Sequence, residues 1–332
     1  MSTRRAIVTG GAGFIGSHVA DALLAAGYAV VIIDDLSSGS RANVPAAAQF
    51  QHLDVRSSEA ATLVREGQFD LFVHLAAQMD VRKSVVDPMN DASVNIIGAL
   101  NLLEAVRASP HRPRVVFAST GGVIYGDFVE PPNAEVAAKD PESPYAIAKL
   151  SVEFYLAYYA RVHGLDTIAL RLANVFGPRQ NPHGEAGVVS IFCERILGGR
   201  ALTVFGDGEQ TRDYVFVGDV VRAVLAAATR PLPASGRLDE RSFNIGTAIP
   251  TSVLALAAEL QSTARSRAPI EFAPKRAGEQ ERSFVSIEKA ERLLGWSPTV
   301  TLADGLSQTF AWFRNHNDSP PEATTPASSL HK

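Results

Sequence analysis

The chain has 332 residues, 46% of them hydrophobic and 20% charged, and its formal net charge is −4. This composition is typical of a globular protein with a large core, and the lack of a basic excess argues against nucleic acid or an anionic membrane as the main partner. The one cysteine, Cys193, rules out an internal disulfide framework and indicates a reducing compartment. We interpret it as a core residue rather than a nucleophile.

The start of the chain passes into a strand pattern without the apolar segment of a signal peptide. No apolar run approaches the roughly 20 residues that span a membrane. We therefore expect a soluble, cytoplasmic protein with no membrane partner. The histidines are scattered without ligand spacing, so no metal site is predicted.

The first predicted strand, residues 6–9, leads into a glycine-rich loop and then a helix over about residues 17–26. Glycines at such a junction allow a tight turn and a close approach of backbone N–H groups to a pyrophosphate. The pattern predicts a dinucleotide site. The loop residues expected to contact the cofactor are Gly10, Gly13, Phe14, Ile15 and Gly16.

An acidic pair follows the second predicted strand, residues 29–33. A carboxylate about 20 positions after the glycines binds ribose hydroxyls and repels a 2′-phosphate, so NAD is expected rather than NADP. Asp34 is the better placed of the pair; Asp35 as the ligand, or a plain turn role for both, are the alternatives. Arg41 is near in sequence and could weaken the preference for NAD.

Strands predicted at residues 50–53 and 71–75 end at residues suited to a flat cofactor, because small side chains there allow close passage. His74 lies inside an apolar strand and is interpreted as packed rather than catalytic. A long helix is predicted over residues 96–108, with Asn95 ordering hydrogen bonds beside the nicotinamide. The expected cofactor contacts here are Asp54, Val55, Leu75, Ala76, Ala77 and Asn95.

The predicted strand 114–118 ends in two hydroxyl residues, Ser119 and Thr120. In an open parallel sheet, ligands bind beyond the carboxyl ends of the strands, so either hydroxyl could hold a substrate oxygen or relay a proton. The alternative is that these hydroxyls only cap a turn.

Tyr145 and Lys149 are four residues apart at the start of a predicted helix, so their side chains share one helix face. An ammonium near a phenol favours the phenolate, and Lys149 is expected to lower the pKa of Tyr145 from its free value near ~10. Tyr145 would then serve as a general base, with both residues also contacting the cofactor. The alternative is an ordinary exposed pair on an amphipathic helix.

Together these motifs resemble the extended short-chain dehydrogenase/reductase superfamily, specifically its NAD-dependent nucleotide-sugar epimerases and dehydratases. The resemblance covers residues 3 to about 314 and rests on the order and spacing of the motifs. They are the glycine loop, Asp34, residues 74–77, Ser119 and Thr120, Tyr125 and Gly126, and Tyr145 with Lys149.

The resemblance implies a Rossmann-type α/β fold, a doubly wound parallel sheet with a smaller C-terminal α/β region that binds a nucleotide sugar. Residues 1–173 are expected to bind NAD. Residues 174–314 are expected mainly to bind the substrate, with some return of the chain to the sheet. Residues 315–332, rich in proline, serine and threonine, are expected to form a disordered tail.

The resemblance also implies a UDP-sugar substrate and a homodimer built from the helices near residues 96–108 and 144–162. Two separated arginines suit a diphosphate. For the dimer helices, burial within one chain is the alternative. The residues that the resemblance places at the substrate are Thr120, Tyr145, Asn174, Val204, Phe205, Arg212, Arg276 and Glu279.

The implied reaction is NAD-dependent epimerisation at C4 through a transient 4-keto sugar, for the glucose/galactose pair or its N-acetylated counterpart. The first alternative is a 4,6-dehydratase or a glucuronate decarboxylase; relatives of those types carry acidic residues where this chain has Gly121 and Gly122. Many family members carry a hydroxyl at the first of these positions, so Thr120 is preferred here and Ser119 stays open. A non-catalytic NAD-binding regulator is the second alternative. The small Ser283 is hypothesised to admit an N-acetyl group.

Overall fold

The computed structural model describes residues 3–183, 187–234, 236–276 and 280–316. Glu279 and residues 317–332 of the predicted tail lie outside them. The strands are β1 (Arg5–Thr9), β2 (Ala29–Asp34), β3 (Gln49–His52), β4 (Leu71–His74), β5 (Arg114–Thr120), β6 (Thr167–Leu172), β7 (Asn174–Phe176), β8 (Leu202–Phe205), β9 (Thr211–Phe216), β10 (Ser242–Ile245), β11 (Pro250–Ser252), β12 (Ile270–Ala273) and β13 (Arg282–Ser283).

The helices alternate with these strands through most of the chain. They are α1 (Phe14–Ala25), α2 (Ser58–Glu66), α3 (Val81–Val86), α4 (Pro88–Ala92), α5 (Gly98–Ala108), α6 (Pro144–His163), α7 (Val188–Leu197), α8 (Val217–Thr229), α9 (Val253–Ala264) and α10 (Leu302–His316). A 3₁₀ turn at Arg41–Asn43 and π-helical turns at Ser93–Ile97 and Ala290–Leu294 complete the regular structure.

Seven parallel strands form the main sheet in the order β10-β6-β5-β4-β1-β2-β3. The central strands are apolar on both faces because helices cover both sides. On one side β1 packs with α1 and α8, and on the other with α2, α5 and α6. The predicted doubly wound α/β fold is therefore confirmed. The strand order reverses between β1 and β4, which opens a crevice at their carboxyl ends.

The second half of the chain builds a smaller lobe and also returns to the main sheet. In the lobe, β9 pairs with β7, β11 and β13, β8 pairs with β12, and a core forms among α7, α9 and α10. β10 is an edge strand of the main sheet, and Val285 and Trp296 belong to its core. The predicted return of the chain is thus extensive, because these residues fill one face of the cofactor half.

Two helices begin earlier than the sequence pattern indicates. α1 begins at Phe14 rather than near Ser17, so its first turn directly follows the glycine loop. The helical run predicted over residues 96–108 begins at Pro88, because the Asp87 side chain accepts a hydrogen bond from the N–H of Asn90 and proline suits the first helical position. The run then passes through the π turn before α5.

Candidate functional site

A cleft with a volume of about 500 Å³ lies at the crevice between β1 and β4. It brings together residues from the carboxyl ends of β1 to β6 and from the helices α1, α3, α4 and α6. Of the predicted cofactor and catalytic residues, its walls include Gly10, Gly13, Phe14, Ile15, Gly16, Asp34, Asp54, Val55, Leu75, Ala76, Ala77, Ser119, Thr120, Tyr145 and Lys149.

The glycine loop is packed so tightly that side chains are excluded. Gly10 has a φ of +70°, and a Cβ there would lie 2.7 Å from the backbone nitrogen of Ala76. A Cβ on Gly16 would overlap the carbonyl oxygen of Gly10. The loop therefore lets the N-terminus of α1 open directly onto the cleft, where its backbone N–H groups can bind a pyrophosphate.

Asp34 and Asp35 both line the cleft, but they are held differently. Asp34 is buried and accepts hydrogen bonds from the N–H groups of Ala12 (2.9 Å) and Leu36 (2.8 Å). Burial raises its pKa, and these two hydrogen bonds oppose that shift. Asp35 accepts from both the N–H and the hydroxyl of Ser37, so it caps its own turn. This arrangement favours Asp34 as the ribose ligand.

The two basic residues near this end of the cleft are already engaged. Arg41 lies over the ring of Phe50, 4.6 Å from its centroid. Arg56 lines the cleft and pairs with Asp54 at 2.5 Å, which holds the pKa of that carboxyl below its usual range. The sequence-based prediction missed Arg56, although its position two residues after Asp54 at a strand end was a usable signal.

Asn95 is not among the residues that line the cleft, and its role beside the nicotinamide stays a prediction. It is buried in the π turn, where its Oδ1 accepts from the N–H of Gln78 and its Nδ2 donates to the Gln78 carbonyl, both at 2.9 Å. The extra residue of a π turn rotates a side chain off the regular helix face. Asn95 therefore fixes the backbone of Gln78 by hydrogen bonds from outside the cleft. Gln78 lines the cleft and was missed by the sequence-based prediction.

Tyr145 and Lys149 share one face of α6, as predicted. The helix starts cleanly because Ser143 accepts the hydrogen bond of the Ala146 N–H and Pro144 occupies the first position. The Lys149 ammonium donates to the Ala118 carbonyl at 2.9 Å and lies 5.8 Å from the centre of the Tyr145 ring. The pair is therefore fixed against the end of β5.

The pKa of Tyr145 differs from the prediction. Burial raises it well above its ordinary value, and the negative charge of Asp91 raises it further. Burial also lowers the pKa of Lys149 to about 8, while Asp91 acts in the opposite direction. The predicted lowering by Lys149 is absent in the chain alone, because the ammonium is directed at the Ala118 carbonyl and the loss of solvent disfavours the phenolate.

The two candidate hydroxyls at the end of β5 have different surroundings. Ser119 is buried and donates to the Glu153 carboxylate in a very short hydrogen bond. Glu153 is in turn paired with the fully buried Arg171 at 2.7 Å. The Ser119 hydroxyl already donates its proton to a buried acceptor within the protein. The geometry therefore favours Thr120, on the opposite side of the strand, as the hydroxyl that contacts a substrate oxygen. Sequence reasoning missed Glu153, although it lies four residues after Lys149.

His74 is buried at the end of β4 between the rings of Phe72 and Phe117. One ring nitrogen is hydrogen-bonded to the Thr9 hydroxyl at 2.7 Å. Burial lowers its pKa to about 3, and the Lys149 charge adds to this effect. The neutral, enclosed ring agrees with its interpretation as a packed residue.

Of the predicted substrate residues, Thr120 and Tyr145 line the cleft described above, and the others that the structure describes lie in the smaller lobe or at its border. Phe205 lines a second, smaller cleft, and the Arg276 guanidinium lies over its ring at 3.6 Å from the centroid. Val204 is fully buried, because alternation along β8 turns its side chain into the core, and the position of this segment beside a base stays a prediction. Arg212 is on β9 and donates to the Thr211 carbonyl.

Asn174, the first residue of β7, lies beside the loop that follows β5. Its Oδ1 lies 3.2 Å from the position that a Cβ on Gly122 would take.

Among the described residues there is no group of three potential metal-ligating His, Cys, Asp or Glu side chains. The helices described there include none long and apolar enough to cross a membrane.

Residues 6–246 match the NAD dependent epimerase/dehydratase family. The chain belongs to this family. The UDP-glucose 4-epimerase of Mycolicibacterium smegmatis is 43% identical over 316 residues, which are 94% of this chain and 99% of that protein. The Thermotoga maritima UDP-glucose 4-epimerase with UDP-glucose superposes with a TM-score of 0.90 at 43% identity, covering 95% and 100% of the two chains.

A second structure, the Thermus thermophilus UDP-glucose 4-epimerase in complex with NAD, gives a TM-score of 0.86 at 42% identity and covers 93% and 99% of the chains. Membership of this NAD-dependent family makes NAD the cofactor. The cleft fits it, because the glycine loop leaves room for a pyrophosphate at the helix N-terminus and Asp34 offers a carboxylate one strand away.

Proposed function

We propose that this epimerase/dehydratase family member catalyses epimerisation at C4 of a UDP-sugar. The observation that carries the proposal is the joint position of Thr120, Tyr145 and Lys149 at the wall of the NAD cleft, followed along the chain by Gly121 and Gly122, which carry no acidic side chain. The relatives named as UDP-glucose 4-epimerases support the nucleotide and the reaction.

The roles of the residues follow from their positions. NAD⁺ bound in the cleft would supply the hydride exchange at C4 of the sugar, by way of a 4-keto sugar. Tyr145 takes the proton of the 4-hydroxyl and gives it back after the sugar has turned. Lys149, fixed by the Ala118 carbonyl, supplies the positive charge beside the phenolate, and Thr120 holds the substrate oxygen.

The smaller lobe supplies groups suited to the nucleotide. We infer that Arg212 and Arg276 bind the diphosphate, that Phe205 borders the uracil, and that Asn174 contacts the sugar diphosphate. Glu279, outside the described residues, is proposed for a ribose hydroxyl. In support, the guanidinium of Arg276 already lies over the Phe205 ring at the edge of the second cleft.

The loop after β5 argues against the dehydratase and decarboxylase alternatives. A Cβ on Gly121 would lie 2.9 Å from the carbonyl oxygen of Arg171. A Cβ on Gly122 would lie 3.2 Å from Asn174, and the Gly122 carbonyl accepts a hydrogen bond from Ser283 at 2.8 Å. An acidic side chain at the first position would therefore displace the loop, so the extra acid and base that those reactions need are lacking at both positions.

The test is to incubate the purified protein separately with UDP-galactose, UDP-glucose, UDP-N-acetylglucosamine and UDP-glucuronate, without added NAD, and to separate the products. Interconversion at C4 is the expected result and would also show that cofactor is retained. A 4-keto-6-deoxy sugar or released carbon dioxide would overturn the proposal. Four unchanged sugars, also after NAD⁺ is added, would favour the non-catalytic regulator.

Ser283 is the proposed determinant of sugar size. It is buried, lies on β13 beside Arg212, and contacts the Gly122 carbonyl. We predict that Ser283→Tyr lowers kcat/KM for UDP-N-acetylglucosamine by at least about tenfold, since a bulky ring removes space that an N-acetyl group needs, while UDP-galactose is affected less. Ser283→Ala is the control for the lost hydrogen bond. Equal effects on both sugars would contradict the size role.

We also propose a homodimer through α5 and α6. α6 leaves Phe154, Tyr158 and Val162 exposed, and Ile97, just before α5, is 56% exposed. A helix with apolar residues on a second face needs another surface to bury them. Sedimentation at micromolar concentration tests this proposal, and a monomer would contradict it.

The cytoplasmic location of the protein stays a prediction.

A further inference from the structure

Asp91, on α4, is a buried carboxylate for which the reaction above has no role. Its side chain is 1% exposed. Oδ1 accepts hydrogen bonds from the side-chain amides of Gln78 and Asn95, both at 2.9 Å. Oδ2 is also buried and has no hydrogen-bond partner within the part of the chain that the structure describes. Because a buried carboxylate oxygen without a partner is costly, its presence needs a reason.

The packing of α4 supplies one. α4 packs against α6, the helix that carries Tyr145 and Lys149. The Lys149 charge favours the ionised form of Asp91 against the effect of burial, which raises the Asp91 pKa. In return, the Asp91 charge favours the protonated forms of both Tyr145 and Lys149. Asp91 is therefore electrically coupled to both members of the acid–base pair.

Three elements of the described chain pack against α4, namely α3, the π turn and α6, and their charged groups are as follows. α3 contributes Lys83 and Arg82, and Arg82 is paired with Asp80 at 3.0 Å. The π turn Ser93–Ile97 carries no titratable side chain. On α6, Tyr145 and Lys149 are the groups that interact with the Asp91 charge.

Gln78 extends this arrangement to the cleft wall. Its Nε2 donates to Asp91 and to the Asp80 carbonyl, and its Oε1 accepts from the Asp80 N–H at 2.8 Å. Asn95 holds both the backbone N–H and the carbonyl of Gln78. One carboxylate thus anchors the loop after β4 and at the same time faces the acid–base helix.

We propose that Asp91 is a positioning residue that fixes the cleft wall through Gln78 and sets the charge balance of the Tyr145–Lys149 pair. Its kinetic consequence rests on the proposed epimerase function, whereas its effect on Lys149 does not. An active base must be deprotonated and Lys149 must be cationic, so the pKa values of these two groups set the two limbs of the pH profile. Because the Asp91 charge raises both pKa values, its removal moves both limbs of the pH profile to lower pH.

The test is Asp91→Asn, which keeps an acceptor for Gln78 and Asn95 but removes the charge. In the full chain with NAD⁺, the ¹³Cε resonance of Lys149, assigned with Lys149→Arg, is expected to titrate about one pH unit lower than in the wild type. The pH profile for the active UDP-sugar is expected to move the same way. Asp87→Asn removes an exposed charge nearby, and Asn95→Ala cuts the network without removing a charge; both are expected to leave the Lys149 titration in place.

An unchanged Lys149 titration in Asp91→Asn would overturn the proposal, and so would an equal shift in Asn95→Ala, which would make the role only mechanical. If the variant does not fold, the titration of Lys149 in the wild type provides a second test. Its Lys149 resonance is expected to show an additional inflection at acidic pH when Asp91 is protonated, and a single inflection would contradict the coupling. A wild type that epimerises no UDP-sugar would refute the proposed function but leave this titration valid.

Discussion

Tyr145→Phe is expected to lower kcat for C4 epimerisation by about 10²–10⁴-fold, because it removes the hydroxyl that we propose accepts the proton of the 4-hydroxyl. The ring stays, so the packing of α6 and the binding of NAD and the UDP-sugar are expected to change little. Turnover under saturating substrate, together with calorimetric binding of both ligands, measures the two effects separately.

The control for this change is Tyr155→Phe, the same substitution on the same helix at a residue that is 39% exposed. We expect near wild-type turnover from it. If Tyr145→Phe kept its activity, Tyr145 would not be the base. If it lost binding together with turnover, the loss would come from the architecture of the cleft and would not support a proton transfer.

Glu153→Ala is expected to lower the free energy of unfolding by about 3–5 kcal/mol. Arg171 is fully buried, and its Nε and Nη2 donate to both oxygens of Glu153. Removing the carboxylate leaves a buried guanidinium with one ion pair, to the partly exposed Asp239. The Ser119 hydroxyl loses its acceptor as well. Denaturant unfolding followed by circular dichroism measures the change.

Arg65→Ala provides the comparison, since Arg65 and Glu66 form an exposed pair at 2.9 Å whose loss is expected to cost about 0–1 kcal/mol. A double replacement, Glu153→Gln with Arg171→Met, removes both buried charges and should destabilise less than Glu153→Ala. A Glu153→Ala protein as stable as the Arg65→Ala protein would show that Arg171 is compensated by its other contacts.

The cofactor half of the site could be predicted because its residues stand at strand ends. Gly10, Asp34, Ala76 and Thr120 follow four apolar runs, and parallel strands place their carboxyl ends at one edge of a sheet. The order of the strands and of the residues that follow them was therefore enough to predict that these four residues lie close together. The helix positions of Tyr145 and Lys149 were equally accessible, since an i, i+4 spacing defines a shared face.

The hydrogen bonds behind the cleft could not be predicted in this way. Asn95 turns toward Gln78 because a π turn adds a residue to the helix, and no local pattern marks such a turn. The Ser119–Glu153 contact joins a strand to a helix 34 residues later and depends on how the helix docks. Val204 shows the opposite case: strand alternation alone would have assigned it to the core and Phe205 to the cleft.

The return of the chain from the smaller lobe has a consequence for how the protein unfolds. β10 completes the main sheet, Asn244 donates to the carbonyls of Asn133 and Ser286, and Trp296 is buried in the core of the cofactor half. The core of the cofactor half is therefore incomplete without the C-terminal part of the chain, and the chain should melt in one cooperative transition. A ligand that binds only one cleft then raises the melting temperature of the whole chain by mass action. A single thermal scan therefore reports ligand binding to either of the two clefts.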